Sequence, residues 1–379
     1  MKKVLETTLC KINYSESLQS LAKETSLLME NKILEYQSFF NIKLEEKVVI
    51  NYFDDIDEFR NFIYEIRGEK ESLPDYAEGT YDGGMVNAYI APNKQLKRLH
   101  MANHELFHIL YMKYILKNDY SKRIVWYDEG MAQFMSGEND HLEDINEFHR
   151  FYCKVRKQTT TIPILNDLEH GDSFVNSDYN GYDLSYLVIR YLFDTLSHNE
   201  FNKLMYDFNK IKEISNSLII EMFNYYDYLN NSLFNPRYLF HGSPKLLEII
   251  EKRQAYDSCA NSENEDYAVF LTSSFIIASA YAFKDTIKKL SDGLDWNFEI
   301  GYDNKTDELD IRMDNVNVFD DLEGYIYVFP FNPNYDHQNS SIQYKCYENI
   351  KPIDIIKVKF AQFKKYYKIN KETNVLKIR

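Results

Sequence analysis

The chain has 379 residues, of which 44% are hydrophobic and 16% aromatic. This composition excludes a disordered protein, and the length is sufficient for two domains. The 59 acidic and 44 basic residues give a net charge of −15. That charge argues against general binding to nucleic acid or to an anionic membrane surface, because both need a basic face.

The same totals indicate a cytoplasmic protein. No stretch reaches the roughly eighteen apolar residues that span a bilayer, and the segment after Met1 has no apolar run typical of a signal peptide. The four cysteines are scattered without paired spacing. We therefore expect reduced thiols and no membrane partner.

The N-terminal part predicts helices alternating with strands. Leucines and isoleucines recur at helical spacing over residues 15–45, residues 47–53 are β-branched and aromatic, and residues 57–66 again indicate a helix. After a turn-rich stretch, residues 86–91 alternate like a strand that ends at Pro92. This strand immediately precedes the most informative motif of the chain.

That motif is His-Glu-Leu-Phe-His at residues 104–108, in a half-apolar stretch that indicates a helix. Positions i and i+4 lie on one helix face, so His104 and His108 can aim two imidazole nitrogens at one point. Two imidazoles and a carboxylate, with a fourth position open, are the ligand set of a hydrolytic zinc site. Glu105 is placed to accept a proton from the water that the metal activates.

A second motif, Trp126-x-x-Glu129-Gly130-x-Ala132-x-Phe134, follows. It resembles the third-ligand helix of the gluzincin metallopeptidases, in which a glutamate on a second helix completes the HExxH site. The resemblance covers roughly residues 45–215 and implies Glu129 as the third zinc ligand. The small residues Gly130 and Ala132 would let this helix approach the first closely.

Asp128 and Glu138 are rival acidic residues near the second motif. Asp128 points roughly a third of a turn away from Glu129, so the two cannot serve together from one helix face. A role for Asp128 in holding a histidine N–H stays open.

The gluzincin resemblance implies roles for two further elements. The strand at residues 86–91 would form the edge of a small sheet, where an extended peptide substrate pairs. A tyrosine at the start of the helix expected over residues 182–196 would donate a hydrogen bond to the developing oxyanion. Tyr182 is the candidate, with Tyr179 and Tyr186 as rivals, and each is otherwise a packed tyrosine with a satisfied hydroxyl.

The pattern changes after residues 230–236, an Asn- and Pro-containing stretch that indicates a linker. We place a domain boundary near residue 235, which gives domains at residues 1–234 and 235–379. Strand signals then dominate, with one helix around residues 278–281. The strands are expected at residues 237–241, 268–273, 325–331 and 341–344.

The order of these C-terminal elements resembles the ADP-ribosyltransferase fold. In its diphtheria-toxin-like branch a His binds the ribose, a Tyr stacks on nicotinamide, and a late-strand Glu stabilises the transition state. The resemblance implies His241, Tyr281 and Gln343 as NAD-binding residues. Gln343 departs from the pattern, because an amide offers no negative charge to a cationic transition state. Glu348 lies nearby, and the domain either uses NAD or is a degenerate copy used for recognition or regulation.

The sequence thus predicts an α+β fold, in which a mostly helical zincin-like domain with a small N-terminal sheet precedes a strand-rich ADP-ribosyltransferase-like domain. The expected function is zinc-dependent hydrolysis of protein or peptide substrates, with Zn²⁺ as cofactor and with endopeptidase and aminopeptidase activity both open. The alternative is NAD-using transferase activity, or nucleotide recognition, as the main function. A third hypothesis is a non-catalytic binding protein, which the intact Glu105 argues against.

Overall fold

The computed structural model describes residues 2–68, 73, 77–91, 99–169, 171–254, 266–290, 298–303, 308–314, 321–337 and 342–370. It is an α+β protein, as predicted, with mixed and antiparallel sheets and ten α-helices in the described part of the chain. Two compact units are formed, one by Met1–Tyr191 and Asn202–Met222, the other by Leu192–Phe201 and Phe223–Arg379. Each unit is a group of residues that pack together. The predicted boundary between two domains near residue 235 stays a prediction.

The first unit contains a five-stranded sheet in the order β1-β2-β3-β5-β4. Its inner pairs β2–β3 and β3–β5 are parallel, whereas β1 and β4 pair with their neighbours antiparallel. The strands are β1 (Lys3–Glu6), β2 (Cys10–Tyr14), β3 (Val48–Phe53), β4 (Gly79–Thr80) and β5 (Val86–Tyr89).

The predicted strand at residues 86–91 is confirmed as β5, but its expected place at the sheet edge is wrong. β5 lies between β3 and the two-residue strand β4, with Gly79 opposite Ala88 and Thr80 opposite Asn87. The turn-rich segment before β5 supplies this extra strand, because it folds back on β5. This edge of the sheet is therefore formed by β4, and the opposite edge by β1.

Three buried or half-buried asparagines connect the inner strands of this sheet. Asn13 Nδ2 donates to Asn51 Oδ1, and Asn51 Nδ2 donates to Asn87 Oδ1, each at 2.8 Å. Asn87 Nδ2 in turn donates to the backbone carbonyls of Asp82 and Met85, each at 3.2 Å. The ladder thus ends on the turn between β4 and β5.

Helices cover most of the remaining first unit. The helix α3 contains the HExxH motif and continues into one π-helical turn, Tyr111–Ile115. Lys117 and Asn118 then adopt left-handed φ angles of 54° and 60°, which end the helix and redirect the chain. The helix α4 follows, packs against α3, and ends at Gly137 with φ 85°. The helices up to this point are α1 (Gln19–Phe40), α2 (Ile56–Arg67), α3 (Met101–Leu110) and α4 (Val125–Ser136).

Between α4 and the strand that begins at Tyr238, the described residues form four further α-helices. The amphipathic helix expected over residues 182–196 is confirmed as α6. The chain after α8 runs without regular secondary structure to the next strand, where the linker was predicted. The helices are α5 (Ile145–Gln158), α6 (Gly181–Thr195), α7 (His198–Leu204) and α8 (Phe208–Leu229).

The second unit is built around a sheet with the path β12-β13-β8-β6-β11-β14, and β7 pairs with β8 beside it. A separate three-stranded sheet has the order β15-β10-β9. The elements are β6 (Tyr238–Ser243), β7 (Arg253–Gln254), β8 (Tyr267–Thr272), α9 (Phe275–Leu290), β9 (Phe298–Asp303), β10 (Glu308–Asp314), β11 (Glu323–Pro330), β12 (Asp336–His337), β13 (Gln343–Cys346), β14 (Asp354–Lys359), α10 (Phe360–Phe363) and β15 (Lys368–Asn370).

Helix α9 packs closely across this large sheet. A Cβ atom at Gly242 of β6 would lie 1.8 Å from the carbonyl oxygen of Ala278, and one at Gly324 of β11 would lie 2.9 Å from that of Ala282. Only glycine permits this approach of helix and sheet. The face of β6 that contains Gly242 is therefore the face covered by α9.

The composition predicted that the chain has no membrane-spanning segment and that its cysteines are reduced thiols. In the part of the chain that the structure describes, no helix combines the length and the apolar character needed to cross a membrane. Cys10, Cys153 and Cys346 are free thiols, of which Cys153 is exposed rather than buried. Cys259 lies outside the described residues.

Candidate metal centre

The two motif histidines and Glu129 converge. His104 Nε2 lies 3.5 Å and His108 Nε2 lies 3.6 Å from the same oxygen, Oε2 of Glu129. One ligand atom from each residue lies within 4.8 Å of the other two. His108 and Glu129 are buried and His104 is half-buried, so a shared ion would be shielded from bulk water on this side.

This spacing and donor set fit a zinc ion. Zinc binds imidazole nitrogen and carboxylate oxygen at about 2.0–2.2 Å, so tetrahedral ligand atoms lie roughly 3.4 Å apart. The two nitrogen–oxygen distances of 3.5 and 3.6 Å match that spacing. His104, His108 and Glu129 would supply three ligands and leave a fourth position open, which is typical of hydrolytic sites.

The other ring nitrogen of each histidine faces a second carboxylate. His108 Nδ1 lies 2.8 Å from Asp128 Oδ1, and His104 Nδ1 lies 3.3 Å from Glu138 Oε1. With Nδ1–H donating to these oxygens, each Nε2 is the nitrogen left to bind a metal. Both rival acidic residues therefore contact the side of a histidine away from Glu129.

Burial and the neighbouring ionised side chains shift the pKa of Glu129 in opposite directions, and the same is true of His108. Burial acts to raise the pKa of Glu129, but His108 and His104 beside it hold that pKa well below its usual value. Burial acts to lower the pKa of His108, yet Asp128 and Glu129 raise it to about 9. A metal ion that binds here must therefore displace a proton from His108.

Glu105 lies beside the three candidate ligands without belonging to their cluster. Burial raises the pKa of its carboxyl, although His108 and His104 act in the opposite direction. A higher pKa makes a carboxylate a better proton acceptor. Its Oε1 lies close to Gly79 of the edge strand β4, where a Cβ atom would be only 2.5 Å away.

Tyr81, which follows β4, lies near the candidate metal centre and was not predicted from the sequence. Its ring lies over His108, with centroids 5.3 Å apart, and its charge environment includes Glu105 and Glu129. Burial raises its pKa, so the hydroxyl keeps its proton. A single tyrosine in a turn-rich segment carries no signal of such a position, because the contact depends on how β4 pairs with β5.

Tyr182 lies at the start of α6 and is half-buried. Its ring packs against Phe174, with centroids 4.6 Å apart, and its carbonyl accepts from Gln133 Nε2. The hydroxyl of its rival Tyr179 donates to the carbonyl of Ser173, and the rival Tyr186 is a buried packing residue. The oxyanion role of Tyr182 stays a prediction.

The three C-terminal candidates do not share one face of the large sheet. His241 lies on β6 between Phe240 and Gly242, so its side chain projects away from α9. Gln343 is opposite Thr272, which is opposite Phe240, so these three project to the α9 side. Tyr281 belongs to α9 itself.

His241 has a fixed orientation in that position. Its Nδ1 lies 2.9 Å from the carbonyl oxygen of Phe270 and donates to it. Burial lowers the pKa of His241 to about 4, so the ring is neutral at pH 7. Neutral imidazole with one N–H used by the backbone is equally typical of a packed histidine.

No protein-family model matches the chain, and no curated protein matches it either. Among solved structures, an aminopeptidase N family protein from Idiomarina loihiensis is similar, with 9% identity and a TM-score of 0.36. The match covers 97% of this chain and 70% of that one. At this level of similarity the two chains do not share a demonstrated fold.

Proposed function

We propose that the first unit is a zinc-dependent peptidase that hydrolyses peptide bonds in a protein or peptide substrate. The observation that carries the proposal is the convergence of His104, His108 and Glu129 beside a half-buried carboxylate, Glu105, that is not needed as a ligand. A purely structural metal site has no use for such a base. The gluzincin pattern of the two motifs supports the same reading.

Zn²⁺, when bound by these three residues, supplies a Lewis acid that polarises water and the substrate carbonyl. Glu105 accepts the proton of the attacking water and then delivers it to the leaving amine. Asp128 and Glu138 hold the two imidazoles in orientation through Nδ1. Tyr182 is the predicted donor to the oxyanion.

The test replaces Glu105 by Gln, which keeps the shape of the side chain and removes the base. We expect zinc content and fold to be retained while cleavage of a proteome-derived peptide library falls by about 10²–10⁴-fold. Glu213→Gln, at an exposed glutamate paired with Lys210, is the matched control and should cleave like the wild type. Unchanged cleavage by Glu105→Gln would refute the role of Glu105 as the base.

NAD chemistry in the C-terminal part stays a prediction from the sequence alone. The strand register separates His241 from Gln343, so no contact among the described residues of the second unit favours this function over the peptidase. The cytoplasmic location likewise stays a prediction.

A further inference from the structure

Arg123 lies immediately before the cap residue of α4 and has a largely buried side chain, 15% exposed. Its guanidinium contacts two carboxylates of that helix. Nε donates to Asp128 Oδ2 at 2.6 Å, and Nη2 donates to Glu129 Oε1 at 3.1 Å. The sequence motifs gave no indication of this arginine, because it stands outside both of them.

The two oxygens of Glu129 therefore have different partners. Oε1 accepts from Arg123, whereas Oε2 faces the Nε2 atoms of His104 and His108. A carboxylate with both oxygens free can bind a metal through one or both of them. An arginine on one oxygen competes with the metal for that oxygen and so favours binding through the other one.

The guanidinium of Arg123 also takes part in a hydrogen-bonded connection between α3 and α4, the helices that contain the three candidate ligands. His108 Nδ1 contacts Asp128 Oδ1, and the other oxygen of Asp128 accepts from Arg123, which also binds Glu129. A continuous chain of hydrogen bonds thus joins a histidine ligand of α3 to the carboxylate ligand of α4. These hydrogen bonds hold the side chains of His108 and Glu129 in position without the help of a bound metal.

We propose that Arg123 is a positioning residue that restricts Glu129 to ligation through Oε2 alone and so keeps the fourth metal position open. This inference rests on the proposed zinc site. Arginine suits the role because its planar fork can hold two carboxylates in fixed directions, whereas the lysine ammonium is a point charge.

The experiment compares wild type, Arg123→Gln and Arg123→Lys, with Arg190→Gln as control. Arg190 is a similarly buried arginine of the first unit that pairs with Glu143 instead. Zinc affinity is measured by competition with a chromogenic chelator. Coordination is read from the visible absorption of the Co²⁺-loaded proteins, which weakens as the coordination number rises.

We expect Arg123→Gln to lower zinc affinity by about 10–100-fold, the usual effect of losing a partner that orients a ligand. Its Co²⁺ spectrum should lose intensity, because Glu129 gains a second bound oxygen. Arg123→Lys should show a smaller change of both quantities in the same direction, and Arg190→Gln should match the wild type.

A folded Arg123→Gln protein with wild-type zinc affinity and Co²⁺ spectrum would overturn the proposal, as would equal losses in Arg190→Gln. If the Gln variant does not fold, the Lys variant decides, and an unchanged Co²⁺ spectrum there overturns the proposal. Neither readout uses cleavage. A wild type that binds zinc but cleaves no peptide would therefore defeat the peptidase proposal while the metal readouts still judge Arg123.

Discussion

The position of the Glu105 carboxylate depends in part on a glycine in the neighbouring strand, since any larger residue there would clash with it. Gly79 of β4 faces its carboxylate, and a methyl group there would come within 2.5 Å of Oε1. The clash falls on the mobile end of a side chain rather than on backbone. Glu105 would have to move, but the fold would not.

Gly79→Ala should therefore separate activity from stability. We expect a loss of about 1 kcal/mol of unfolding free energy at most, with unchanged zinc content. The cleavage rate should fall on the order of 10²-fold, because Glu105, the proposed base, is displaced by about an ångström. Urea unfolding and peptide cleavage measure the two effects.

Gly301→Ala is a suitable control for this substitution, since its Cβ would make only ordinary contacts at 3.6 Å. It should leave cleavage unchanged. Wild-type cleavage by Gly79→Ala would contradict the close approach of β4 to Glu105.

The residues that the sequence could predict are those fixed by helical geometry. His104, Glu105 and His108 lie on one helix, and their directions follow from the spacing alone. Glu129 needed a family pattern, and the histidine contact of Asp128 was left open. Arg123, Gly79 and Tyr81 could not be predicted, because their contacts depend on strand pairing and helix packing.

At the scale of elements, the close approach of α4 to α6 positions Glu129, the acidic member of the candidate metal centre. Gly130, directly after Glu129, faces the carbonyl oxygen of Ser185, which would lie 2.6 Å from a Cβ atom. Ile189 of α6 would be equally crowded, at 2.8 Å. Gly130 was predicted to let α4 approach α3, but the atoms nearest to its would-be Cβ belong to α6.

Gly130→Ala should force α4 away from α6, because the obstructing atom is backbone. We expect a loss of about 1–3 kcal/mol of unfolding free energy, measured by urea titration, together with weaker zinc binding as Glu129 shifts. An unchanged urea midpoint would contradict the contact.

Gly68→Ala is the control that distinguishes the effect of crowded packing on stability from the effect of backbone strain. Gly68 has φ 71° but nothing within 4 Å of its would-be Cβ atom. It should lose about 1 kcal/mol and keep wild-type zinc affinity.

The long helices α1 and α6 were predicted from their periodicity, whereas the equally long α8 was not assigned. The short strands β1 and β2 at the N-terminus were missed, and β5 was assigned to the sheet edge. The edge assignment failed because β4 has only two residues, too few to produce a recognisable alternation.

At the scale of the whole molecule, the two compact units allow a test of where the metal acts. A ligand that binds only the folded state stabilises it by about 4 kcal/mol at a thousandfold excess over its dissociation constant. For a unit of this size each 1 kcal/mol moves the thermal midpoint by about 2–4 °C. Removing zinc should therefore lower the midpoint of the first unit only.

Calorimetry of the zinc-loaded protein with and without a chelator measures this effect. We expect one transition to move down and one to stay, and His108→Ala should show the lowered transition without chelator. A parallel shift of both transitions, or no shift, would contradict a zinc site confined to the first unit.

The asparagine ladder has a consequence for the alignment of β4 with the candidate metal centre. Asn13, Asn51 and Asn87 can satisfy one another only while their three strands keep this one alignment, since a slip by a single residue turns each amide to the opposite face. Asn87 also pairs with Thr80, the neighbour of Gly79. A polar interaction that begins in the second strand of the chain thereby decides which residue of the sheet margin stands beside Glu105, the proposed general base.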